Sequence, residues 1–167
     1  NTLNDVSVTF KKNEKIAIVG LNGAGKTTLI KLLVKLYEPK SGAIYINNTN
    51  IADIKREDLY SQFSTVFQEP NLFAFTLAEN ISLRPLSETD IDRAMDCLDQ
   101  VGLSDIVKRL PKGIMQPVLK IIDEDGVEFS GGELQKISLA RALYKDAPIM
   151  ILDEPTASYD ALAEERI

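Results

Sequence analysis

No histidine occurs anywhere in the 167 residues, and cysteine occurs once, as Cys97. One thiol cannot close an intrachain disulfide, a usage that fits a reducing compartment. Beside Ile91, Ala94, Met95 and Leu98 it reads as a half-buried member of an apolar helix stripe. Basic charge is also scarce: 19 Lys and Arg against 25 Asp and Glu leave a net charge of −6. Duplex-binding surfaces cluster cations to displace counterions, so no nucleic-acid partner is expected. Long apolar runs are missing. The longest, such as 16–19 and 149–152, are strand-length, far short of the ~20 residues a bilayer span needs. Asn1-Thr2-Leu3 has neither the basic nor the apolar region of a signal peptide, and the chain does not begin with Met. It reads as a soluble piece of something longer. Internal repeats and low-complexity segments are absent.

What is there is ordinary globular material, 44% hydrophobic and 26% charged, with room for one compact domain and an attached lobe. Alternation over 6–10 predicts a half-exposed strand, and the apolar 16–19 a buried one. A Gly-rich loop follows, then a mostly buried helix over 26–36 whose polar edge is Lys31 and Lys35. Pro39, Ser41 and Gly42 turn the chain into a strand over 43–46, and another is expected near 63–67. From about 71 to 146 only helical periods and loops are visible. One helix follows Ser87 and runs through Val101, stopping at Gly102; a second follows Ser130 and ends near Tyr144. Pro148 opens a strand over 149–152. The expected fold is α/β, a mainly parallel sheet with a helical subdomain inserted between two strands.

Gly20-Leu21-Asn22-Gly23-Ala24-Gly25-Lys26-Thr27 matches the P-loop pattern between a strand and a helix. Glycines let backbone N–H groups turn inward around phosphate oxygens, and the helix N-terminus adds positive potential. Asn22, Gly23, Ala24, Gly25, Lys26, Thr27 and Thr28 are thus the candidate nucleotide-binding residues. Lys26 would reach the β- and γ-phosphates, and the Thr27 hydroxyl would coordinate Mg²⁺. The apolar strand 149–152 ends in Asp153 and Glu154. Ligands of parallel sheets sit beyond the carboxyl ends of strands, which suits Asp153 to a water-bridged Mg²⁺ and Glu154 to polarising the attacking water. Taken alone, an acid there is as often a helix cap or a surface turn.

Phe129-Ser130-Gly131-Gly132-Glu133 has the Ser-x-x-Glu spacing of a capping box. A helix that needed only a cap would not carry two glycines in its first turn, each costing about 1 kcal/mol against alanine. Close backbone approach to an anion explains them, and both roles are compatible.

With this segment the chain resembles the ABC ATPases along essentially its whole length, with the motifs in the family's order. It is identified as a P-loop NTPase core over 1–71 and 146–167, incomplete at both ends, with an inserted signature subdomain over 72–145. The family's signature is Leu-Ser-Gly-Gly-Gln; Phe129 and Glu133 depart from it, and a carboxylate near phosphates weakens the site electrostatically. The resemblance implies ATP and Mg²⁺ as ligands. It makes Gln68 the glutamine that contacts Mg²⁺ and the transmembrane partner, and Asp160 the aspartate of the loop after the catalytic acid. It also implies a head-to-tail dimer with a second nucleotide-binding domain, in which Ser130, Gly131, Gly132 and Glu133 face ATP held by the other subunit. Within the family, 71–81 and the acidic 123–128 look like the exporter type, working at the cytoplasmic face of a membrane with a transmembrane domain, fused or separate. The family's switch histidine would follow Ile167 and its adenine-stacking aromatic would precede Asn1, so the isolated chain is expected to hydrolyse ATP weakly. The alternatives are a soluble ABC ATPase of repair or translation, disfavoured by the acidic balance and by 68–81, and a regulatory module without turnover, disfavoured by Glu154.

Overall fold

The computed structural model describes residues 3–153. By its internal contacts the chain divides into two compact units, Asn1–Phe63 and Ser64–Ile167.

In the first unit, helix α1 (Lys26–Leu33) is followed by a hairpin of β1 (Tyr45–Ile46) and β2 (Thr49–Asn50), then by helix α2 (Arg56–Ser61). The hairpin is antiparallel, with Tyr45 opposite Asn50. Its turn places Asn47 and Asn48 at positive φ, the conformation that matches the twist of a two-residue connection. The expected strand over 43–46 is therefore shorter than its pattern and has a return strand that the alternation did not reveal.

Two further expectations fail here. Residues 6–10 and 16–19 form no strand among the described residues, and their side chains lie open, Val19 at 89% exposure. A strand is made by its neighbour's hydrogen bonds, and β1 and β2 pair only with each other. The helix expected over 26–36 stops at Leu33, and only Ile30 within it is buried. Lys35 turns to φ 56°, and the N–H groups of Leu36 and Tyr37 return to the Lys31 carbonyl at 2.8 and 3.0 Å, closing the helix. Lys35 Nζ then donates to the carbonyls of Ile51 and Ala52 at 2.8 and 3.1 Å. It staples the turn after the hairpin instead of edging the helix.

The second unit holds most of the core. β3 (Phe63–Val66) reaches into it and pairs with β4 (Ile149–Leu152). The Ala147 N–H meets Ser64 Oγ near one end and the Asp153 N–H meets the Val66 carbonyl at the other, so the strands run parallel. Between them come α3 (Leu77–Ser82), α4 (Ile91–Gln100), α5 (Ser104–Arg109) and α6 (Gly131–Lys145). The only pairings in this stretch are isolated bridges, Thr76 with Pro117 and Val118 with Val127, as the strand-poor pattern implied. Leu77, Ile81, Leu98, Leu103 and Ile137 are almost fully buried and form the centre of this helical cluster.

Helix α4 begins at Ile91, because Asp90 accepts the Arg93 N–H and caps it. Ser87, the expected start, lies in a separate 3-10 turn over Leu86–Glu88. Gly102 does end the helix, at φ 70°, with the Leu103 N–H returning to the Leu98 carbonyl. Cys97 is buried rather than half-buried, and desolvation raises its thiol pKa. No helix among the described residues is long and apolar enough to cross a membrane.

Candidate functional site: a phosphate loop, a carboxylate at a sheet end and a glycine-started helix

The loop before α1 is held by its own backbone. The Ala24 N–H donates to the Leu21 carbonyl at 3.1 Å, and Gly23 and Gly25 sit at φ 80° and 96°. That region strains any side chain, which is why glycine occupies both places. Gly25 is the N-cap of α1, and no side chain caps the helix; its first turn contains no acid. The first amides of an α-helix have no intrahelical acceptor. Here the N-cap is a glycine, which has no side-chain oxygen to offer them. Thr27 and Thr28 lie in that turn, both partly buried, while Asn22, Gly23 and Ala24 are exposed. Lys26 Nζ folds back to the carbonyls of Gly20 and Leu21 at 2.9 and 3.3 Å. A lysine ammonium beside a glycine loop at the positive end of a helix dipole is the chemistry of a phosphate site.

In the second unit, Asp153 follows β4 and Gln68 lies two residues past β3, at the same carboxyl end of the parallel pair. Gln68 is exposed. Asp153 is only 3% exposed, and its Oδ2 has no hydrogen-bond partner. A buried carboxylate oxygen without a donor is costly unless something cationic or hydrated meets it. That fits a carboxylate which serves a metal ion. No cluster of three or more His, Cys, Asp or Glu that could hold a metal occurs among the described residues. Mg²⁺ does not need one, since it keeps several waters and takes one or two protein oxygens plus phosphate. Glu154 and Asp160 lie outside the described residues.

Ser130 and the helix behind it follow the expected pattern. Ser130 Oγ accepts the Glu133 N–H at 3.4 Å, and Glu133 Oε2 accepts the Ser130 N–H at 2.7 Å, a complete capping box. The N–H groups of Gly131 and Gly132 are outside this exchange, and Gly131 is exposed. The P-loop residues belong to the first unit, whereas Gln68, Asp153 and 130–133 belong to the second.

Four residues of consequence were not picked out by pattern. Thr76 and Glu79 form a second capping box, at α3. Their Thr-x-x-Glu spacing carries the same signal as Ser130 and Glu133 and could have been found that way. Asn80 is fully buried; it accepts the Phe73 N–H and donates to the Phe73 and Thr76 carbonyls at 2.9–3.0 Å. Arg141 donates to the Asn80 carbonyl at 2.8 Å and to the Asn71 carbonyl at 3.2 Å. No local pattern announces these two, because their partners lie far along the chain or on the backbone. The acidic 123–128 is likewise more built than a solvated loop: Lys112 pairs with the Asp125 carboxylate at 3.2 Å, and buried Gln116 donates to the Asp125 carbonyl at 2.7 Å.

An uncapped helix behind a positive-φ glycine loop, together with the α/β elements around it, defines a nucleotide-binding module of the P-loop class. Residues 3–157 match the family model described as ABC transporter. The chain belongs to the ABC transporter family. It is 40% identical over 167 residues to an ATP-dependent lipid A-core flippase of Bordetella avium, covering 100% of this chain and 28% of that protein. It is 40% identical over 163 residues to a chloroplastic ABC transporter B family member 29 of Arabidopsis thaliana, covering 97% of this chain and 25% of the relative. Among solved structures, a bacterial Atm1-family ABC exporter with ATP bound is similar at a TM-score of 0.77 and 32% identity, over 88% of this chain and 25% of that one. The chain thus spans roughly a quarter of the length of the relatives it matches. An ATPase domain of this family binds ATP and hydrolyses it.

Proposed function

We propose that this chain binds Mg-ATP and hydrolyses it to power an exporter, with ATP-driven closure onto a second nucleotide-binding domain. The observation that carries the reading is the uncapped N-terminus of α1 behind Gly23 and Gly25, with Lys26 swung over the loop carbonyls. The backbone donors of 23–28 cradle the phosphates, and Lys26 leaves the Gly20 and Leu21 carbonyls to neutralise the terminal ones. Thr27 would offer its hydroxyl to Mg²⁺, and Asp153, whose Oδ2 is unpartnered, would hold it through water; Mg²⁺ would supply charge neutralisation at the phosphates. Gln68 would contact Mg²⁺ and the membrane domain, and Glu154 would polarise the attacking water. Ser130, Gly131, Gly132 and Glu133 face nucleotide held by the partner domain, with Asp160 beside that interface. The core is 1–71 with 146–167, and 72–145 is the signature insert. The membrane domain, fused or separate, sets the site of action at the cytoplasmic face of a membrane.

The relatives named as a flippase and as an exporter support this reading. So does a Beta-(1-->2)glucan export ATP-binding/permease protein of Agrobacterium vitis, 40% identical over 98% of the chain and spanned over 27% of its own length. The test is Glu154→Gln in the complete domain. Sedimentation with Mg-ATP is expected to show an accumulated dimer that retains unhydrolysed nucleotide. Turnover at the parent rate with no dimer would remove Glu154 from its role and closure from the account.

A further inference from the structure

We propose that Arg141 is a positioning residue that ties segment 71–81 to helix α6, so that the glycine start of α6 follows the position of that segment. The inference rests on the proposed function, in which 71–81 is exporter-type and α6 carries the signature to the partner's nucleotide.

One guanidinium meets both ends of the segment. Nε donates to the Asn80 carbonyl at 2.8 Å, while Nη1 and Nη2 both reach the Asn71 carbonyl at 3.2 Å. The Asn80 carbonyl belongs to the last turn of α3, where an acceptor is left over and a cation is favoured. Asn80 itself is locked from the other side by its three bonds to Phe73 and Thr76, and Thr76 is locked to Glu79 by the capping box. The segment therefore has little freedom to move apart from the fork that holds it. Outward, it presents Phe73 and Phe75, both more than half exposed.

The chemistry argues for position over packing. Burial lowers the Arg141 pKa, and no ion pair to a carboxylate is formed by Arg141 among the described residues. Desolvating a cation against neutral carbonyls is costly, and an apolar side chain would fill the same place without that cost. What an apolar residue lacks is the planar fork, which fixes distance and angle to two carbonyls at once; lysine, a point donor, lacks it too. Arg141 lies on the same unbroken helix as Gly131, roughly 15 Å along its axis at the helical rise. A displacement of 71–81 is thus handed to a rod whose other end is Ser130-Gly131-Gly132.

The test is a double-mutant cycle in the full-length transporter, with Phe75→Ala disturbing the outward face of the segment and Arg141→Lys keeping charge and bulk. The readout is kcat/KM for ATP hydrolysis. Phe75→Ala is expected to lower it about fivefold with Arg141 in place and to have almost no effect in the Arg141→Lys background. Equal factors in both backgrounds would overturn the coupling while leaving the proposed function standing. No effect of Phe75→Ala even with Arg141 present would overturn the role given to 71–81, and the coupling with it. Should Arg141→Lys fail to fold, amide exchange in Phe75→Ala alone decides the matter. Altered protection of the first turn of α6 supports the tie, and unchanged protection refutes it.

Discussion

Glycine stands at the start of both α1, as its N-cap Gly25, and α6, as its first residue Gly131, yet the two N-termini are finished in opposite ways. At α6, Ser130 and Glu133 exchange hydrogen bonds, and the terminus is satisfied from within the chain. At α1 the N-cap is Gly25, no side chain caps the helix and the first turn contains no acid. Asp90 likewise caps α4, whereas the short α2 and α5 have no side-chain cap either. What sets α1 apart is the pair of positive-φ glycines before it, a departure from local consistency of the kind that marks functional sites. On the proposed function the difference separates two kinds of phosphate contact. The start of α1 would receive an anion as its own cap. The start of α6 is capped without one, and on the same reading it meets phosphate through the amides of Gly131 and Gly132 and the Ser130 hydroxyl, which accepts in the cap and can still donate.

Lys26→Ala should break the comparison most severely. Removing the one cation of the loop mouth is expected to weaken Mg-ATP binding by on the order of 100-fold or more, read by calorimetric titration. Next in size is Gly25→Ala. A side chain at φ 96° costs roughly 1–2 kcal/mol of strain, expected as a lower unfolding midpoint in urea together with weaker ATP binding. The same kind of change at the other helix should affect stability and the partner's site, not the chain's own P-loop. Ser130→Ala removes a cap worth about 1 kcal/mol, with ATP affinity of the chain's own P-loop unchanged. Glu133→Gln sharpens the contrast: the amide retains the capping geometry and removes a negative charge. It is expected to leave stability within about 0.5 kcal/mol and to raise ATP-driven dimerisation in sedimentation. Unaltered dimerisation would show that the Glu133 carboxylate does not face phosphate.

The smallest effect concerns α3, whose capping box uses Glu79. Hydrogen bonds from Thr76, side chain first and then backbone, lower the Glu79 pKa from its ordinary 4.5. A carboxylate depressed on folding contributes stability that is present above 4.5 and fades as pH falls through the lower folded value. Amide protection in α3 should therefore persist as pH drops to 4.5 and weaken below it, whereas Glu79→Gln should flatten that dependence.

What could be read without coordinates is what depends on near neighbours. The Gly-rich loop before a helix, the capping box at Ser130, the stop at Gly102 and the strand segments 63–66 and 149–152 follow from spacings of a few residues; the pairing of those two strands does not. Two strands and a helix length were misjudged for a related reason. Alternation at 6–10 and 16–19 says which face an extended segment prefers, but a ladder exists only where a partner supplies hydrogen bonds. The apolar run through Leu36 continues the helical period, but Lys35 leaves the helix to reach three carbonyls of the 51–54 turn. Arg141 escaped for the same reason: its partners are backbone carbonyls 61 and 70 positions away, which no window of sequence contains. The partners of Asn80 are near, but they are backbone groups of Phe73 and Thr76, and backbone groups leave no mark in the residue pattern.

The central claim, that α1 is left uncapped so that a nucleotide phosphate can cap it, is tested most directly by titrating Mg-ATP into the parent domain and into Lys26→Ala while following the amide signals of Lys26, Thr27 and Thr28 by NMR. The account predicts large shifts of those three amides in the parent, saturating with the bound nucleotide, and their loss at the same ATP concentrations in the variant. Saturable binding that leaves the three amides unmoved would contradict it.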